Sequence, residues 1–150
     1  MFGALKSAFK AGAKASATEL QAKYGENKDF LEAVCAGVAL VAAADGDIED
    51  AEVGAVQRLV SGNEKIASVY QPHQINEVSS KMLALAKTQS GKQSLARQLD
   101  DIKGNATMCE DVYLIASDIA YADGELEPAE KETLAKIAKR LNVDVSKFDF

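Results

Sequence analysis

Tryptophan is absent from this 150-residue chain, proline occurs twice, histidine once and cysteine twice, and each shortage removes a class of protein. The single histidine, His73, stands beside Pro72, and no Ser or Cys nucleophile has a base at a recognisable spacing, so no acid–base or nucleophilic constellation is expected. Cys35 and Cys109 lie inside apolar helical patterns with no Cys-x-x-Cys pair and no histidine nearby, which argues against a soft-metal site. They are expected as two buried, reduced thiols. Long apolar runs are missing too: the longest, Ala33 to Ala44, falls well short of the roughly 20 residues a membrane helix needs. Near the N-terminus, lysines interrupt the apolar residues before a signal-peptide core forms, so secretion is not expected and the cytoplasm is the expected compartment.

Net positive charge is also lacking. The formal charge is −6, and nucleic acid is excluded as a partner because duplex binding draws its affinity from clustered Lys and Arg. That charge is unevenly spread. Residues 1–24 hold four lysines against one glutamate, while the remainder holds thirteen basic against twenty-two acidic residues.

What remains is an alanine-rich, helix-forming alphabet, with 47% hydrophobic residues in a length that suits one domain. Phe2, Leu5, Phe9, Ala13 and Leu20 recur at helical spacing over about residues 3–23, with Lys6, Lys10 and Lys14 on another side. That basic amphipathic helix either meets the anionic head groups of a membrane leaflet or packs its aromatic stripe on the acidic body of its own domain. Gly25 and Asn27 break it. A second helix, starting at Phe30, runs into Asp45-Gly46, with Gly46 placed as a left-handed C′ residue. A third covers about residues 50–61 and stops at Ser61-Gly62-Asn63. A short piece follows at 65–70, and Pro72 opens a helix that Ser90-Gly91 is expected to end. Helical spacing continues through Leu95, Leu99 and Ile102 to Gly104-Asn105. Another helix leads from Met108 to Ala122, and Pro128 opens the last, which Asn142 closes before a short hydrophobic tail. No strand alternation occurs. The expected fold is all-α, a single domain of about seven to eight helices.

One stretch is written twice. Ala44-Asp-Gly-Asp-Ile-Glu-Asp-Ala-Glu52 returns 78 positions later as Ala122-Asp-Gly-Glu-Leu-Glu-Pro-Ala-Glu130. At that offset Glu32 also aligns with Glu110, Val34 with Val112 and Ala42 with Ala120, which predicts two helical hairpins (30–62 and 108–140) related by a pseudo-twofold axis. Residues 1–24 precede them, 63–105 link them and 141–150 follow. Two readings of the copied acids stand side by side. Glu127 and Glu130, like Glu49 and Glu52, fit an N-cap and third-position pair that caps a helix. Asp45 and Asp123, by contrast, sit where the preceding helix ends and its dipole disfavours negative charge. Asp47 and Glu125 add to the crowding, and a hard divalent cation, Ca²⁺ or Mg²⁺, would relieve it. The turns are not EF-hands: position six is Asp50 or Pro128 where Gly belongs, and position twelve is Val56 or Leu134 where a bidentate Glu belongs.

Together with Met1-Phe-Gly-Ala-Leu-Lys-Ser-Ala-Phe9, Ala33-Val-Cys-Ala36 and the ending Ala138-Lys-Arg-Leu-Asn-Val-Asp-Val-Ser-Lys-Phe148, the duplicated Asp-Gly turns make the chain resemble the TerB family of tellurite-resistance proteins. The resemblance implies an all-helical domain of two pseudo-symmetric halves. It further implies a non-enzymatic, cation-binding stress protein that partners a membrane-embedded Ter component and other Ter-system proteins. The family's acidic positions fall on Asp45, Glu52, Asp123 and Glu130, with Asp47, Glu49, Glu125 and Glu127 as a second rank. Residues 61–105 match the family pattern less clearly. Direct thiol chemistry on tellurite at Cys35 and Cys109 is the rival reading, and it requires an electropositive, partly exposed thiolate.

Overall fold

The computed structural model describes residues 13–25, 27–46, 48–122 and 124–148. Eight α-helices are seen among them: α1 (Ala13–Tyr24), α2 (Lys28–Ala42), α3 (Asp50–Ser61), α4 (Glu64–Val69), α5 (Pro72–Leu85), α6 (Gln89–Asp100), α7 (Ala106–Tyr121) and α8 (Pro128–Arg140), followed by a 3₁₀ turn at Val145–Phe148. The described residues form no strand, and the fold is all-α as expected.

The punctuation residues turn out to be starts as much as stops. Asn27, Asn63 and Asn105 each offer a side-chain oxygen to backbone N–H groups of the following helix, with Asn105 accepting from Met108 at 3.0 Å. Gln71 and Gln74 form a capping box at α5, with Pro72 in the first turn. Unpaired amides at each of these helix ends thereby find acceptors without drawing on the core.

Ser90-Gly91 corrects a sequence expectation. The preceding helix has already ended at Leu85, and Gly91 lies buried in the first turn of α6, where its N–H donates to the Thr88 hydroxyl at 3.0 Å. A Cβ on Gly91 would coincide with the Leu85 carbonyl. Glycine is present here for close approach between two helices joined by three residues, not as a helix terminator.

α2 is the axis of the packing. Its sequence is apolar on every side, ten of its residues are buried, and it packs against α5, α6, α7 and α8. Small residues let those neighbours close in: a Cβ on Gly37 would lie 3.6 Å from Ala116 Cβ and 3.8 Å from Ile137 Cδ1, so α2, α7 and α8 converge there. The region between the repeats completes this core, since Ile66, Ile75, Met82, Leu83, Leu95 and Leu99 are all fully buried. The two repeats also use their second helices differently. α8 leans on α2, whereas α3 packs chiefly on α5.

α1 is fastened at its C-terminal end. Tyr24 stacks on Phe30 with ring centroids 4.2 Å apart, and its hydroxyl donates to Asp111 at 2.8 Å. The Tyr70 hydroxyl donates to the carbonyls of Asn27 (2.8 Å) and Tyr24 (3.1 Å), tying α4 to the same corner. Phe2, Leu5, Lys6, Phe9 and Lys10 lie outside the described residues, as does the side chain of Lys14.

Candidate cation-binding turns

Both acidic turns are built the same way. α2 ends at Ala42, the Gly46 N–H donates to the Ala43 carbonyl at 3.1 Å, and Gly46 takes φ +125°. α7 ends at Tyr121, the Gly124 N–H donates to the Tyr121 carbonyl at 3.0 Å, and Gly124 takes φ +115°. Positive φ at these two positions explains why both copies keep glycine. In the first turn the glycine sits further past the helix end than a C′ residue, because Ala43 is already the cap.

Each turn then sinks one apolar residue, Ile48 or Leu126, which remain only 6% and 7% exposed. Immediately afterwards the next helix starts on a capping box. The Glu49 N–H donates to Glu52 Oε1 at 3.2 Å and the Glu127 N–H donates to Glu130 Oε1 at 2.8 Å, while the Glu49 and Glu127 side chains accept from the third helical amide. Four of the eight acidic candidates therefore cap helices. Asp45 and Glu125 are exposed and point to no described partner, and Asp47 and Asp123 lie outside the described residues. Among the described residues no three His, Cys, Asp or Glu side chains gather in a set that could hold a metal ion.

Sequence reasoning missed the residue that stands closest to the first turn. The Lys92 ammonium, from α6, donates to the Gly46 carbonyl at 3.2 Å and reaches the Ala43 carbonyl at 3.5 Å. It supplies positive charge at the C-terminal end of α2, where the dipole favours it. Lys87 adds an exposed ion pair to Asp50 at 3.1 Å. No local signal marks either lysine, since both are brought in by the crossing of α5 and α6 over α2 and α3.

These arrangements bear on the rival chemistries. His73 is exposed in the first turn of α5. Cys35 and Cys109 are buried and unpaired, burial pushes the Cys35 thiol up to about 12, and Cys109 donates its S–H to the Ile102 carbonyl. Thiols so placed are neutral at pH 7 and poor nucleophiles. Among the described residues no helix is long and apolar enough to cross a membrane.

A family model described as Tellurite resistance protein TerB matches residues 31–150, a span that includes both turns and starts after the lysine-rich segment. Comparison with curated proteins and with solved structures gave no match.

Proposed function

The chain belongs to the TerB family of tellurite resistance proteins, and from that premise we propose that it is a non-enzymatic interaction module of the resistance system that takes up a divalent cation and docks on a membrane-embedded Ter partner. The observation that carries this reading is Lys92. An ammonium already takes two carbonyl oxygens of the first turn, so this bend of backbone offers oxygens to a positive charge. The second turn repeats the bend and adds Asp123, Glu125 and the unused carboxylate oxygens of Glu127 and Glu130. Carbonyl and carboxylate oxygens are the donor set of Ca²⁺ and Mg²⁺. The ion therefore goes first to the second turn, and Asp45, Asp47, Glu49 and Glu52 compete for it less well while Lys92 is in place.

Amide NMR shifts of the full chain during calcium and magnesium titrations test this. Gly124 to Glu130 move first and saturate, and Asp123→Asn with Glu125→Gln removes the response. Stillness in both turns at millimolar ion leaves a metal-free helical adaptor whose acids only cap helices. Docking is checked separately, by co-sedimentation with membranes that contain or lack the membrane-embedded Ter component, in calcium and in chelator. Retention by both membranes alike would assign the binding to lipid, through the N-terminal residues Phe2, Leu5 and Phe9 with Lys6, Lys10 and Lys14.

A further inference from the structure

Away from the acidic turns, the far end of the second repeat carries a groove of about 880 Å³ between α7, α8 and the C-terminal 3₁₀ turn. The chain's own local chemistry opens it. Asn142 adopts φ 56°, the Val143 N–H donates to the Ala138 carbonyl at 2.8 Å and the Asn142 N–H donates to the Lys139 carbonyl at 3.1 Å. This is a Schellman turn, which reverses the chain out of α8. The tail then lies back across α7, with Phe148 stacked on Tyr113 at 6.2 Å and Lys147 paired with Glu110 at 3.0 Å. Between tail and helices the walls are apolar: Leu134 and Ala138 from α8, Val143, Val145 and Phe148 from the tail. Val145 is 48% exposed, a large hydrophobe left facing water.

Three polar features set this groove apart from an incidental crease. Ser117 lines it from α7 and is only 6% exposed, yet its hydroxyl forms no hydrogen bond with a described residue. No sealed side-chain polar atom lacks a partner among the described residues, so the Ser117 hydroxyl keeps its access through the groove. Lys131 and Lys139 also line it, both exposed, and neither forms an ion pair with a described residue. Eight residues apart on one helix, their Cα atoms stand about 12 Å from each other along the axis. On a chain of net charge −6, two unpaired cations beside an apolar floor select against cationic ligands and for anionic ones. The volume falls within the range of small-molecule sites, roughly 300–1,000 Å³.

We infer that this groove is a binding site for a single-chain anionic amphiphile of the fatty-acid type. The alkyl chain lies on Leu134, Ala138, Val143 and Phe148, and the carboxylate pairs with Lys131 or Lys139 and accepts a hydrogen bond from the Ser117 hydroxyl. Its recognition chemistry is separate from that of the acidic turns and survives their failure.

The test is titration of the ¹⁵N-labelled full chain with decanoate below its micelle concentration, with decyltrimethylammonium as the control of equal length and opposite charge. Saturable shifts confined to Tyr113–Ser117, Leu134–Ala138 and Val143–Phe148 are expected with decanoate, and markedly weaker ones with the cation. Lys131→Glu with Lys139→Glu, both on the surface, lowers decanoate affinity at least about tenfold, and Ser117→Ala lowers it by a few-fold. Ala135→Trp, at an exposed lining position, blocks the groove without touching the core, and an unchanged thermal melt confirms that it folds. Equal response to both amphiphiles, an unsaturable or dispersed response, or no response overturns the proposal. So do groove shifts that depend on protein concentration alone, which would make the occupant a second copy. NOEs from Phe2, Leu5 or Phe9 into the groove of the free protein would make it the chain's own N-terminal segment.

Discussion

At both Asp-Gly turns the chain leaves a helix, bends on a glycine at positive φ, buries one aliphatic side chain and enters the next helix through a Glu–Glu capping box. At the first, an ammonium from α6 also closes on the Ala43 and Gly46 carbonyls. At the second, the hydrogen bonds between described residues run within the turn itself. Duplication thus copied everything that the local segment can encode, and the difference arises from what packs against each copy. Lys92 lies near the start of α6, beside the end of α2, while α6 is tied to α8 at its other end through Asp100 and Arg140, so one lysine on α6 serves one turn only.

The copied part can be broken most severely at its buried residue. Ile48→Ala and Leu126→Ala each remove a nearly fully buried side chain, and each is expected to cost about 2–5 kcal/mol. If the turns are structural equivalents, the two losses measured by urea denaturation agree within about 1 kcal/mol. A large loss at one and a small loss at the other would mean that only one turn is anchored as described. Gly91→Ala belongs in the same range or above it, because its Cβ would fall on the Leu85 carbonyl, and overpacking against backbone cannot relax by a rotamer change.

The part that differs is sharpened by Lys92→Met, which keeps the stem and removes the charge. A loss of about 1 kcal/mol is expected, since long ammonium–carbonyl contacts at a partly exposed site contribute modestly. The more telling readout is calcium: first-turn amides that respond weakly in the parent chain respond more strongly in the variant. Identical titrations of the two would show that the ammonium and the ion do not compete for the same oxygens. Smaller again, Glu52→Ala and Glu130→Ala each remove half a capping box and are expected to cost about 0.5–2 kcal/mol. The second is expected to be the more costly, given its shorter bond of 2.8 Å against 3.2 Å.

How much of this was legible in the sequence follows from the range of the forces involved. Periodicity and caps act within a turn or two, so Pro72, Pro128, Asn105 and Asn142 marked their boundaries, and the Glu49/Glu52 and Glu127/Glu130 frames were visible in advance. Ser90-Gly91 was misplaced because a glycine required for close approach looks the same, in sequence, as one required for a bend. Lys92 was invisible: it lies 46 residues from Gly46, and nothing around it distinguishes it from other surface lysines. Crowding among the acids pointed to a compensating positive charge, but the ammonium beside the first turn meets the Gly46 and Ala43 carbonyls rather than any of the candidate acids. The groove behind Tyr113 was missed for the same reason, since it exists only once the tail has folded back.

α6 carries a second charged tether, and its pH dependence gives the smallest of the expected effects. Arg140, at the end of α8, donates from Nε and from an η nitrogen to the two carboxylate oxygens of Asp100, each at 2.9 Å. With Lys103 assisting, this fork holds Asp100 below the usual carboxylate range. A depressed folded value means stability that is present above the unfolded value of about 3.9 and is lost as pH falls through the folded one. Asp111 has the opposite sign. Burial raises it despite the hydrogen bond from Tyr24, so its contribution is present below the unfolded value and fades as pH rises through the folded one. Thermal melts between pH 2 and 6 separate the two: Arg140→Met flattens the acid-side loss, and Asp111→Asn steepens it. Because the Asp100 and Arg140 side chains are 35% and 40% exposed, the first change stays below about 1 kcal/mol. A larger value would mean that Arg140 also sets how α8 sits on α6, and so how the second turn is presented relative to the first.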